Sequence, residues 1–391
     1  MKKNDLKPVH LKKIILLSIL FIISSCKQVV KENSPIETKV ASLKIKHAKG
    51  FTIEKSTSGI TVIKITSPWP NSESVFTYAL VPKEIIAHTT LNKDTYDAII
   101  SVPIENLVVT STTHIPALES LGVLNHLIGF PDTQFVSSKA ARKRIDSGDI
   151  KELGNNQSIN IEMVIALNPD IVVGFGVNAQ NKAYETIQRS NIPVVYNGDW
   201  TEETPLGKAE WVKFFAPFFQ KEKEADRIFS EIETTYNNVK KLAANAKKKP
   251  TVLTGGLYKD VWHVSGGKSW MAQFLEDAQA NYLWADNTET GGVSLSLEEV
   301  IVKGKLAEFW FNPSLHTSYL EVLDANRHYE QFDAFKNKTV FSNCIAKGET
   351  GGLLYYELAP QRPDLVLKDL IHILHPELIP EHQLFFFKPL E

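Results

Sequence analysis

Thr110-Ser-Thr-Thr-His-Ile-Pro116 places hydroxyls, backbone N–H groups and an imidazole where an apolar run, Leu107-Val-Val, gives way to a helical pattern. Such a turn can receive the polar or anionic edge of a ligand, with Thr112, Thr113 and His114 as candidate contacts, although Ser111 or Thr113 would serve equally as a helix cap. Gly174-Phe-Gly176 ends another apolar run, and Gly176 permits close backbone approach. Tyr258, Trp262, His263 and Gly266-Gly267 form a comparable group, whose aromatic faces suit a broad, flat ligand or a metal chelate. Lys347-Gly-Glu-Thr-Gly-Gly-Leu-Leu-Tyr-Tyr-Glu357 adds glycines and Tyr355, and Arg362 adds a bidentate donor for a carboxylate or for a neighbouring acid.

No arrangement for nucleophilic or metal-assisted catalysis accompanies these groups. Neither G-x-S-x-G nor H-E-x-x-H occurs, and Gly267-Lys268-Ser269 lacks the earlier glycine of a phosphate loop because Trp262 stands there. His372 and His375 lie three apart with no acidic motif beside them. The reading is a binding module with no catalytic residues, no intrinsic cofactor and no resident metal. A lipid-anchored scaffold and a hydrolase are the rival classes.

The elements that must hold these groups form two series of alternating strands and helices. The first contains strands Leu107–Thr110, Leu127–Phe130, Ile171–Val173 and Pro193–Tyr196, with helices Pro116–Leu121, Ile159–Leu167 and Ala183–Ser190 between them. The second begins at Pro250-Thr-Val-Leu-Thr254 and closes with a helix over Pro363–Leu374. Apolar residues Ala225, Ile228, Phe229, Ile232, Tyr236, Val239 and Leu242 recur at helical spacing between Gln220 and Lys249. That pattern predicts a rod of roughly 40 Å between the series. Ahead of both, Phe51–Glu54, Ile60–Thr66 and Val75–Leu80 alternate like short antiparallel strands. The fold class is α/β, with two Rossmann-like lobes of mostly parallel sheet joined by a long rigid helix and a ligand cleft between them.

An octet supports kinship between the lobes. Ser158-Ile-Asn-Ile-Glu-Met-Val-Ile165 returns from Ser294 as Ser-Leu-Ser-Leu-Glu-Glu-Val-Ile301, with Glu162 and Glu298 at the same step. Each copy leads into an apolar strand-like run.

The N-terminus reads differently. A lysine-rich start precedes an apolar run, Ile14–Ile23, too short to span a bilayer comfortably, and then Ser24-Ser25-Cys26. Ile23-Ser24-Ser25-Cys26 resembles the bacterial lipobox, which implies a signal peptide over 1–25 and a lipidated Cys26. Residues 26–46 are expected to be a flexible tether, followed by a first lobe over 47–204, a connecting helix region over 205–249 and a second lobe over 250–391. With 43 basic against 45 acidic residues, and a basic leader to lose, the chain is no candidate for nucleic acid. Lipidation of Cys26 would leave Cys344 without a partner, most simply as a small buried hydrophobe.

From about residue 50 onward the chain resembles the substrate-binding proteins of bacterial importers for ferric siderophores, haem and cobalamin. The carriers are the lipobox, VVTSTTHIPALESLGVLNHLIGF, SINIEMVIALNPDIVVGFG, the long helix and SLSLEEVIVKGKLAEFWFNP. The resemblance implies a lipid-anchored monomer at the cell envelope, in the periplasm or on the outer face of the cytoplasmic membrane. It also implies delivery of cargo to an ABC permease driven by a cytoplasmic ATPase, and docking through Glu162 and Glu298, with Glu299 as the neighbouring alternative. A ferric siderophore is the leading cargo, and cobalamin and haem are the alternatives. Haem would draw an axial ligand from His114, His263, Tyr258, Tyr355 or Tyr356.

Overall fold

In the computed structural model, residues 41–178 and 181–391 are described. The leader, Cys26 and most of the expected tether lie outside them.

Each lobe is built on a five-stranded sheet. In the first, the order is Val194–Tyr196, Ile171–Gly174, Leu107–Val109, Leu127–Phe130 and Lys151–Glu152, all parallel. In the second, Asn281–Tyr282, Thr251–Thr254, Phe309–Phe311 and Val340–Ser342 run parallel, and Lys388–Pro389 closes the edge antiparallel. The central strands are buried, which is why they read as unbroken apolar runs rather than alternating ones. In each sheet the chain steps from an early strand to one side and later returns on the other. These reversals, between Leu107–Val109 and Ile171–Gly174 and between Thr251–Thr254 and Phe309–Phe311, leave a crevice beyond the strands' carboxyl ends.

The joining helix is Glu222–Ala243, 22 residues and about 33 Å long, shorter than the sequence pattern suggested. Its apolar face is divided. Ala225, Ile228, Phe229 and Ile232 pack into the first lobe's core, whereas Tyr236, Val239 and Ala243 pack into the second.

The N-terminal strands are Phe51–Lys55, Thr61–Thr66 and Val75–Pro82, an antiparallel meander extended by Ala98–Val102 in parallel. Phe51, Ile53, Ile63, Ile65, Tyr78 and Leu80 turn inward to the first core, so this sheet is an integral layer of that lobe. The order begins earlier than His47: Ala41–Ser42 already pairs with Glu54 and Lys55. Two carboxylates explain why. Glu210, fully buried, accepts the backbone N–H groups of Lys46, His47 and Ala48 and the ammonium of Lys213. Glu202 accepts those of Lys49 and Gly50 and the indole N–H of Trp211. Buried carboxylates are tolerated when so many donors satisfy them, and here they pin a polar segment that lacks apolar periodicity.

Candidate functional site: the cleft between the lobes

The loops beyond the switch points enclose a cavity of about 540 Å³. Thr110, Ser111 and Thr112 reach it from the first strand of the first lobe, Phe175 from its neighbour, and Leu315, Cys344, Lys347, Leu353 and Tyr356 from the second lobe. Phe135, Leu315 and Tyr356 line it while 54%, 70% and 54% exposed. Three large apolar side chains left open around one crevice leave a surface that a ligand would cover. Lys347 adds an exposed ammonium that forms no ion pair among the described residues.

Polar bonds stiffen the floor. The Thr110 hydroxyl lies 3.1 Å from that of Tyr184 and accepts the Phe175 N–H at 3.3 Å. The Asn156 amide donates to the Thr110 carbonyl at 2.5 Å, and the Asn156 backbone N–H to Asp132 at 2.8 Å. Cys344 is buried at the wall, where burial pushes its thiol up and Lys347 pulls the other way.

A second cavity of about 600 Å³ also spans the lobes. Trp69 and Trp200 line it from one side and Trp270 from the other. Lys208 enters from the connecting region, its ammonium donating to the carbonyls of Asp199 and Trp200 and lying 5.2 Å from the centre of the Trp270 ring. Burial lowers its pKa, with Asp199 and Glu202 opposing. Phe175-Gly176 stands between the cavities: Phe175 faces the first, and a Cβ on Gly176 would come within 2.7 Å of the Trp69 ring.

The residues read from the sequence are thereby sorted. Thr112 reaches the first cavity, and Thr113 is tied to the Ser111 hydroxyl at 2.9 Å. Gly176 packs on Trp69 rather than facing the first cavity. His114 is fully buried behind the loop, 5.5 Å from the Phe215 ring, and burial holds its pKa down, with Asp199 and Asn197 opposing. Trp262 is a core residue, stacked at 5.4 Å on Trp310 with its N–H on the Thr254 carbonyl, because the strand Val261–Ser265 turns alternate residues inward. Tyr258 and His263 lie on the outer side of that hairpin, exposed and away from both cavities. Tyr355 is buried against Phe386 and Phe387, and its neighbour Tyr356 takes the cleft position. Arg362 pairs with Asp364 at 2.8 Å and lines a separate crevice beside the joining helix. Trp69, Trp200, Trp270, Lys208 and Lys347 were missed. Trp270 follows the flagged Gly266-Gly267 pair and opens a helix capped by Ser269, a usable signal.

The repeated octets fold alike. Asn160 and Ser296 cap the helices Ile161–Leu167 and Leu297–Gly304 through the N–H three residues on, which sets Glu162 and Glu298 at the same first-turn position. Both are exposed and form no ion pair among the described residues. Glu299, by contrast, is spent in the Ser296 capping box. Exposed apolar side chains follow on both helices, Met163 and Ile165 on one and Val302, 87% exposed, on the other.

Comparison with known proteins agrees with this geometry. An uncharacterized lipoprotein of Methanocaldococcus jannaschii is 28% identical over 74% of this chain and 69% of its own length. A vitamin B12-binding protein of Vibrio parahaemolyticus is 23% identical over 45% of this chain and 62% of its own. Among solved structures, a possible iron-binding (periplasmic solute-binding) protein of Staphylococcus epidermidis is 17% identical and superposes with a TM-score of 0.53, covering 70% of this chain and 99% of that one. A periplasmic heme-binding protein of Vibrio cholerae is 18% identical, with a TM-score of 0.52 over 67% of this chain and 99% of that one. These structures share the fold. The profile of a family described as periplasmic binding protein matches residues 107–343, more than half of the chain and both lobes of the cleft, and the chain belongs to that family.

Proposed function

We propose that the protein is the lipid-anchored substrate-binding component of an ABC importer, and that it captures a pre-assembled metal chelate, a ferric siderophore first, for delivery to a membrane permease. The observation that carries this reading is the first cavity. It has open apolar walls and an unpaired Lys347, while the described residues contain no cluster of three or more His, Cys, Asp or Glu able to hold a bare ion. A metal cargo at such a site must bring its own ligands, and an anionic chelate would meet the ammonium. Haem fits less well. Of the five axial candidates only Tyr356 lines the first cavity, and no histidine reaches it.

Cobalamin is the second reading, favoured by Trp69, Trp200 and Trp270 around the second cavity, which suit a broad corrin face. Titration of the purified protein with ferric enterobactin, aquocobalamin and haemin, followed by absorbance and tryptophan fluorescence, decides among them. Saturable binding of the ferric chelate alone supports the leading reading. A shifted Soret band with haemin, or binding of aquocobalamin alone, would replace it.

A further inference from the structure

The glycine-rich segment Lys347–Glu357 does more than border the cavity. It crosses to the first lobe. The buried Glu357 carboxylate accepts the backbone N–H groups of Ser137 at 2.6 Å and Ser138 at 2.8 Å. Beside it the Thr350 hydroxyl donates to the Gln134 carbonyl at 2.8 Å, and the Gln361 amide to the Ser120 hydroxyl at 2.7 Å. The glycines make the approach possible. A Cβ on Gly352 would lie 2.2 Å from the Phe135 carbonyl oxygen, and one on Gly348 2.6 Å from the Cα of Ser137.

We propose that Glu357 is a clasp: by seating its carboxylate on the Ser137 and Ser138 amides it holds the lobes together beside the first cavity and sets how long a bound cargo is retained, without touching that cargo. Glu357 does not line either cavity, so its effect passes through lobe position. Ser138 caps the helix Lys139–Asp146, so the contact sits at the start of that helix. The charged group acting from the facing lobe is Glu119, whose carboxylate takes the Ser138 hydroxyl. Glu357 and Glu119 thus converge on one serine, one on its amide and the other on its hydroxyl. The role in retention rests on the cleft being the cargo site; the role in lobe position does not.

The test measures both. Spin labels at Glu185→Cys and Asp324→Cys, exposed positions on the two lobes, are placed in a Cys26→Ser background, and the distance distribution is recorded without ligand. Release of ferric enterobactin or aquocobalamin is then timed. Glu357→Ala should broaden the distribution toward longer distances and speed release about tenfold, with the association rate little changed. Glu357→Gln, which keeps one acceptor oxygen, should fall between, and Gln361→Ala offers a milder break if Glu357→Ala fails to fold. Distributions that superimpose on the parent for Glu357→Gln and Gln361→Ala would overturn the clasp, as would faster release without any change in distance. A changed distribution in a protein that binds none of the probes would retain the clasp and reject the cargo reading.

Discussion

The ammonium of Lys208, in the connecting region, and the indole of Trp270, in the second lobe, meet at 5.2 Å. Lys208 is fixed from behind by two carbonyls, so the cation covers part of one indole face and leaves the rest of the ring to the second cavity. Trp270→Ala should weaken binding of aquocobalamin, the cargo the second cavity suits, by about 10- to 100-fold, as loss of a central aromatic anchor does, with a smaller loss of stability than a fully buried tryptophan would bring. Trp262→Ala should do the reverse. Buried among Trp310, Tyr329 and Phe332, it should cost about 3 to 5 kcal/mol of stability. Titration and thermal melts of the two variants separate the roles, and equal binding losses would contradict them.

Lys347 is expected to select for charge. Lys347→Glu should lower affinity for ferric enterobactin by roughly tenfold at low ionic strength and less at high salt, since the group is exposed and screened. Cyanocobalamin, which is neutral, should respond far less. Titrations at two salt concentrations make the comparison.

Glu298 and Glu299 are adjacent, but Glu298 is exposed and forms no ion pair among the described residues whereas Glu299 closes a capping box, which gives the proposed permease docking a sharp test. Glu162→Ala with Glu298→Ala should abolish uptake in cells while chelate affinity in solution survives, each pair being worth on the order of 2 kcal/mol if desolvated. Glu299→Ala removes half of a capping box and should cost about 1 kcal/mol of stability, leaving uptake intact. Uptake lost through Glu299 and kept without Glu298 would reverse the assignment.

Burial pushes the Glu357 carboxyl up to about 7, the Ser137 and Ser138 amides oppose that, and Glu119 adds to it. The native value lies above the unfolded one of about 4.3. The group's contribution is therefore complete below about pH 4.3 and is lost as pH rises through about 7. Wild-type protein should lose its thermal advantage over Glu357→Gln by about 2 to 5 °C between pH 5 and pH 8. A gap that stays constant across that range would show that Glu357 does not titrate there.

The architecture was legible because its signals are local and periodic. Buried parallel strands announce themselves as Leu107-Val-Val and Ile171-Val-Val-Gly, and the octets expose two matching helix starts. Side-chain direction was less legible. Trp262 and His263 are neighbours on one strand, yet the pleat sends one into the core and the other outward, and the loop reading gave no reason to choose. Tyr355 and Tyr356 sit on a single helical turn, where five residues give no periodicity to tell the buried face from the open one. The second cavity was beyond reach because Trp69, Trp200 and Trp270 come from three distant segments that only the tertiary fold assembles.

The divided face of the joining helix means that the lobes are not separable modules. A first-lobe fragment that keeps the whole helix would expose Tyr236, Val239 and Ala243, and a second-lobe fragment that keeps it would expose Ala225, Ile228, Phe229 and Ile232. Neither half could be moved to another scaffold, or inherited alone, without a row of apolar residues left facing water. A gene duplication that produced two such lobes would have had to settle the ownership of this helix before either copy could specialise.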